Sequence, residues 1–198
     1  MRKLGLVVTA IACLMVAAVS FAADAPKAGG MTFGVDGGIA MPMGDFGDEY
    51  GMGYTAGVFG DYGINEQFAI GIAADYIVPS LKDEFKVSGI DIKTTIIPVV
   101  LQAKWTPPMK DSKVAPYIMA GGGIYMMQVK AGEKVGGVEV SVSANENKPG
   151  FFGGVGVDFK ASPQVKLGVF GKYHDILTEG TSTALITAGV SVGFGMAK

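Results

Sequence analysis

The sequence predicts an all-β fold: an eight-stranded antiparallel up-and-down β-barrel that crosses a membrane. Three observations carry that expectation. Apolar residues alternate with small or polar ones along segment after segment, the period of strands whose two faces meet different surroundings. Aromatic residues recur eight apart on one strand face, as Tyr54–Tyr62, Phe68–Tyr76, Tyr117–Tyr125 and Phe151–Phe159. Eight residues at ~3.3 Å, tilted by ~40°, project to about 20 Å along the membrane normal, close to the apolar band of a transmembrane barrel. Finally, the connections alternate between long and short, as a meander with both ends on the short-turn side requires.

Composition agrees. Of 198 residues 31 are Gly, 49% are hydrophobic and 17% are charged, below the ~25% charge usual in soluble domains. After the N-terminus no run of 18 apolar residues occurs, so the spans are expected to be strands rather than helices. Residues 1–22 read as a secretory signal: Arg2 and Lys3, an apolar core over Leu4–Val19, and the small-x-small site Ser20-Phe21-Ala22. Cleavage after Ala22 would leave residues 23–198 as one barrel domain. It would also remove the only Arg and the only Cys, Cys13, and with them any disulfide. The remaining 14 lysines against 18 acids include no basic tract for nucleic acid.

The strands follow in order. Strand one, Thr32–Ala40, sets Phe33, Val35 and Ile39 against Gly34, Asp36 and Gly38. A polar loop runs from Pro42 to Glu49. Strand two, about Gly53–Tyr62, places Tyr54, Ala56, Val58 and Tyr62 opposite Thr55, Gly57, Phe59 and Asp61. Strand three, Phe68–Val78, places Phe68, Ile70, Ile72 and Tyr76 opposite Gly71, Ala73 and Asp75.

Strand four, about Val87–Thr106, is apolar on both faces over Ile96–Leu101. Pro98 inside it predicts a bulge or register change, because proline cannot donate a ladder hydrogen bond. In strand five, about Ala115–Val129, Tyr117, Met119, Gly121, Gly123, Tyr125 and Met127 share a face. The polar insertion 130–149 contains alternating Val138, Val140 and Val142 beside Gly136-Gly137, the pattern of a hairpin projecting beyond the membrane. Strand six, Gly150–Lys160, opposes Phe151, Val155 and Phe159 to Phe152, Gly154, Gly156 and Asp158. Strand seven, Val165–Leu177, points Leu167, Val169 and Tyr173 outward and Lys166, Lys172 and His174 inward. Strand eight is Thr183–Phe194.

In lipid every backbone polar group needs a partner, so the sheet must close. At eight strands the interior has room only for side chains. The expected lumen is therefore small and charged: Asp36, Asp61, Asp75, Asp158, Lys172 and His174, with Lys104 or Lys166. A buried charge without a partner is costly, so opposite signs should meet there. Either paired charges plug the barrel or they line a narrow polar path. Aromatics expected at the membrane interfaces are Tyr54, Tyr62, Phe68, Tyr76, Trp105, Tyr117, Tyr125, Phe151, Phe159, Tyr173 and Phe194.

Catalysis and cofactors are not expected. His174 has no serine two residues on, and its neighbour Asp175 points to the opposite strand face. No metal-ligand cluster is visible in the sequence, and Gly121-Gly122-Gly123 lacks the strand–helix context of a phosphate loop.

With these residues in view, the chain resembles the small outer-membrane β-barrel superfamily, the OmpA-, OmpX- and OmpW-like proteins. The carriers are the signal sequence, Pro42-x-Gly44-Asp45-Phe46, Pro116-Tyr117-Ile118-x-Ala120-Gly121-Gly122-Gly123 and Gly150–Phe159, and the likeness covers Met31–Phe194. It implies the bacterial outer membrane, with short periplasmic turns and longer external loops. The implied partners are outer-membrane lipid and the barrel-assembly machinery, with Phe194 as the terminal aromatic. It also implies a non-enzymatic role in envelope structure or in binding a surface or host ligand. The OmpW branch implies the alternative, a narrow channel for small hydrophobic molecules. A soluble secreted β-sandwich is a third class.

Overall fold

The computed structural model describes residues 29–85, 90–108, 113–135, 138–178 and 182–196. Residues 1–22, read above as a secretory signal, together with Val87, Gly136, Gly137 and residues 179–181, lie outside the described residues. Eight antiparallel strands form one closed barrel in chain order. They are β1 Met31–Met43, β2 Tyr50–Gly63, β3 Phe68–Leu81, β4 Ile90–Trp105, β5 Val114–Val135, β6 Val138–Lys160, β7 Val165–Leu177 and β8 Ser182–Met196. The closing ladder joins β1 to β8 without interruption, from Met31↔Met196 to Met43↔Ala184.

The tight turns, 64–67 and 161–164, share one end of the barrel with both strand termini, here the turn end. Local side chains shape them. Asn65 Oδ1 accepts from the amides of Gln67 and Phe68, both at 2.8 Å, and Ser162 Oγ accepts from Val165 N at 3.1 Å. At the opposite, loop end, β1 and β2 are joined by a short helix, α1 (Gly44–Glu49), where a polar loop was expected. Gly44 opens it with φ +59°, a conformation that favours glycine.

The insertion 130–149 forms the expected projecting hairpin, but as a continuation of β5 and β6: it is strand throughout its described residues. The β5–β6 register runs unbroken from Val114↔Phe159 to Val135↔Val138. β7 accompanies β6 only as far as Gly150↔Ile176, whereas β4 follows β5 to Ile90↔Glu133. One wall therefore rises above the rest as a three-stranded arm of β4, β5 and β6.

Pro98 does not shift the register. The same offset between β3 and β4 holds at Ala74↔Val99 and at Ile77↔Ile96; only the pairing between them lapses. Pro98 removes one donor, and the continuous β4–β5 ladder holds the strand in line. The register shift lies instead in the β2–β3 ladder, between Gly51 and Tyr54, opposite Pro79.

Tyr117 and Tyr125 require a correction. They share a face as expected, but that face is the lumen: they are 5% and 0% exposed. The cause is glycine on the next strand. A Cβ on Gly156 would overlap the Tyr117 ring, and one on Gly150 would overlap the Tyr125 ring. Each ring lies over a bare stretch of backbone and replaces the missing side chain.

This packing makes a prediction. Gly156→Ala should lower the unfolding free energy by about 1–3 kcal/mol, the usual cost of overpacking. In a Tyr117→Leu background the penalty should shrink by more than ~0.5 kcal/mol, the coupling expected of touching residues. Denaturant unfolding of the four variants in detergent reads it directly.

Candidate functional site

The lumen is built in three storeys by the inward positions of all eight strands. At the turn end, Lys104 Nζ of β4 meets Asp158 Oδ2 of β6 at 2.9 Å and lies 3.6 Å from the Tyr117 ring centroid. Beside it Gln102 Nε2 donates to Asp61 Oδ1 at 2.7 Å. Asp158 and Lys104 thus pair across the width of β5, with the Tyr117 ring beside them.

The middle storey holds one lysine between two carboxylates. Lys172 Nζ, from β7, lies 3.4 Å from Asp36 Oδ2 of β1 and 3.6 Å from Asp75 Oδ2 of β3. The three side chains are 7%, 4% and 5% exposed. Gly57 between them is obligatory, because a Cβ there would overlap Asp75 Oδ1 and crowd Asp36 Oδ1. The Phe170 ring lies 4.9 Å from the ammonium and closes it off on the β7 side.

The loop-end storey is apolar, against the expectation of a uniformly small or charged interior. His174 is 1% exposed. Its ring nitrogens pair with the Tyr125 hydroxyl through Nδ1 and the Thr187 hydroxyl through Nε2, both at 3.1 Å. A neutral imidazole has one donor and one acceptor nitrogen, so one hydroxyl donates and the other accepts. The Phe152 ring stacks on it at a tilt, 5.6 Å between centroids. Beyond it Ala40, Ile77, Ile96, Ile176 and Leu185 form a buried core, with Phe46 of α1 packed on it from above. The blurred alternation over Ile96–Leu101 was the sequence signal of this core.

Of the expected network, Asp36, Asp75 and Lys172 come together. Asp158 pairs with Lys104, Asp61 with Gln102, and His174 joins hydroxyls rather than charges. Gln102, Thr187, Phe170 and the two inward tyrosines were missed. Gln102 alternates in step with Lys104, and the tyrosines share their face with Gly121 and Gly123, so both signals were present. Of the other expected interface aromatics, Tyr54, Tyr76, Phe151 and Tyr173 face outward towards the loop end. Tyr62, Phe68, Trp105, Phe159 and Phe194 face outward towards the turn end. Trp105 lies directly opposite Phe68.

The space left between the lower storeys is about 30 Å³ and is lined by Asp36, Asp61, Lys104, Tyr117, Phe170 and Lys172 among others. That is room for a water molecule or two. No group of three His, Cys, Asp or Glu side chains among the described residues is placed to hold a metal ion.

A closed eight-strand barrel with an aromatic-flanked apolar exterior is the geometry of a bacterial outer-membrane protein. The family model described as outer membrane protein beta-barrel domain matches residues 9–194. The chain belongs to this family. Solved outer-membrane barrels share its fold. Neisserial surface protein A is 18% identical, with a TM-score of 0.54 over 85% of this chain and 98% of that one. Ail of Yersinia pestis is 13% identical, with a TM-score of 0.56 over 85% and 99%. The N-terminal β-barrel domain of Pseudomonas aeruginosa OprF is 12% identical, with a TM-score of 0.51 over 86% and 100%. No curated protein matches the sequence.

The middle storey of this outer-membrane barrel sets a test. Lys172→Met leaves two buried carboxylates without a counter-charge and should cost about 3–5 kcal/mol. Adding Asp36→Asn and Asp75→Asn should restore most of it. Equal losses with and without the Asn changes would mean that packing, not charge, sets the penalty.

Proposed function

We propose that the protein is a non-enzymatic, non-conducting outer-membrane barrel with a structural or surface-interaction role carried by its loop-end elements. The observation that carries this reading is the lumen itself. Three storeys of side chains cross it, and the middle one joins β7 to β1 and β3 through buried charges. Hydrated ions need an aqueous path, and the space between the lower storeys is about 30 Å³.

The arm of β4, β5 and β6 supplies the contact surface. On it Val142, Ser143, Asn145, Glu146 and Asn147 are exposed, Val142 by 70%. In this reading residues 1–22 are cleaved on export. The barrel-assembly machinery inserts the domain with Phe194 near its end, the outward aromatics sit at the two lipid interfaces, and the loop end faces outside.

The apolar loop-end storey is the observation that favours the alternative, an OmpW-like route for small hydrophobic molecules. Its residues are closely packed, with Ile77, Ile96, Ile176 and Leu185 each at or below 1% exposure, which supports a core over a conduit.

Refolded protein in planar bilayers should show no conductance above protein-free membranes, and liposomes should take up no hydrophobic solute beyond the empty control. Lys172→Ala combined with Phe170→Ala, Ile77→Ala and Ile96→Ala, which removes much of the middle storey and of the loop-end core, should give measurable current. Steady current through the unaltered protein would overturn the plugged reading.

A further inference from the structure

At the turn-end mouth of the lumen two lysines face each other without a counter-ion among the described residues. Lys160 of β6 and Lys166 of β7 are directly opposite, the last pair of that ladder before the turn. Both occupy inward positions, in step with Asp158 on β6 and with Lys172 on β7. Neither has an ion-pair partner among the described residues. Like charges directly opposite on neighbouring strands repel.

The acids nearby are already engaged. Asp158 is held by Lys104 at 2.9 Å and Asp61 accepts from Gln102 at 2.7 Å. The charges acting on Lys166 are those of Lys104, Asp158, Lys160 and Asp61. With Lys166 itself that is three lysines against two aspartates, so among the described residues the mouth carries a positive excess between low-dielectric walls, which strengthens its field.

A second, independent feature lies beside the pair. Thr32 of β1 is 6% exposed, and its Oγ1 has no hydrogen-bond partner. A buried hydroxyl left unpaired costs free energy. Thr32 and Lys166 both border Gly193 of β8: a Cβ on that glycine would lie 3.2 Å from the Thr32 methyl, 3.7 Å from the Phe59 ring and 3.9 Å from Lys166 Cβ, which places the threonine beside the lysine stem.

We propose that this mouth binds a phosphate-type oxyanion, held by the ammonium groups of Lys160 and Lys166 and by the Thr32 hydroxyl. An anion there would neutralise the opposed lysines through charge-assisted hydrogen bonds and give the threonine its missing partner. Its tetrahedral oxygens can take donors from three strands at once. Free phosphate and the phosphomonoester headgroup of a lipid share this chemistry.

The test uses the full chain refolded in a non-ionic detergent at low ionic strength. One arm titrates inorganic phosphate; the other titrates phosphatidic acid carried in the same micelles. Saturable binding in either arm is expected, with a dissociation constant of about 1 mM or below and at least a tenfold weakening in Lys160→Gln/Lys166→Gln, more than ~1.4 kcal/mol. The arm that saturates identifies the source. Thr32→Val should weaken binding several-fold, and Lys148→Gln, at the far end, should leave it unchanged.

The double variant also removes the repulsion, so without phosphate its unfolding midpoint should equal or exceed that of the unaltered protein. Phosphate should raise the midpoint of the unaltered protein alone. No saturation in either arm up to about 20 mM, or binding that survives the double substitution, overturns the proposal.

Discussion

The β1–β8 ladder is the constraint on which the molecule depends. Lipid offers no hydrogen-bond partners, so an open sheet of this length would strand a row of amides and carbonyls at each edge. Thirteen consecutive pairs from Met31 to Met43 remove both edges at once. Closure at eight strands then fixes the lumen as a space of side-chain width. Everything inward must fit its neighbours across the barrel as well as along the strand. The glycines at 57, 150 and 156 and the partners that fill their places follow from that width.

Charge in such a space has to be settled locally. Lys172 does so in the middle by reaching two strands that are distant from β7 in sequence, Asp36 by way of closure and Asp75 across the bore. Its worth lies in arrangement more than in attraction, since desolvation cancels much of the Coulomb gain of a buried pair. What it contributes is a fixed cross-brace: three walls cannot slide past one another without parting these groups. Above it the neutral His174 network and the isoleucine–leucine core need no counter-ions. The interior thus passes from ionic to apolar between the turn end and the loop end.

Most of the architecture was legible because period-two alternation reports directly on which face meets lipid. The strand count, the meander and the inward placement of Asp36, Asp61, Asp75, Asp158, Lys172 and His174 all come from that single rule. It failed where both faces carry the same kind of residue. On β5, tyrosines spaced like girdle aromatics point inward, because the alternate positions Ile118, Ile124 and Met126 are equally suited to lipid. Gly121 and Gly123 on the tyrosines' own face were the local hint; what makes room for the rings is Gly150 and Gly156 on β6, far away in sequence. Pro98 misled for a related reason: a missing donor breaks a pair, but register belongs to the whole ladder. Gln102 was marked as inward by its step with Lys104, but its pairing with Asp61, like that of Thr187 with His174, is set by strand stagger rather than by spacing.

The raised wall has a consequence of its own. A fold that abolishes sheet edges in lipid re-creates one in water, because β6 runs on past Gly150 where its ladder with β7 ends. The residues along that free rim include Asn145, Glu146, Asn147, Lys148 and Pro149. Charge, side-chain amides that compete for the backbone, and a proline without an N–H all discourage a foreign strand from docking. In a membrane crowded with barrels, such a rim lets neighbours brush past without stitching their sheets together. Replacing these residues with β-branched apolar ones would turn a self-contained barrel into one that can be extended strand by strand.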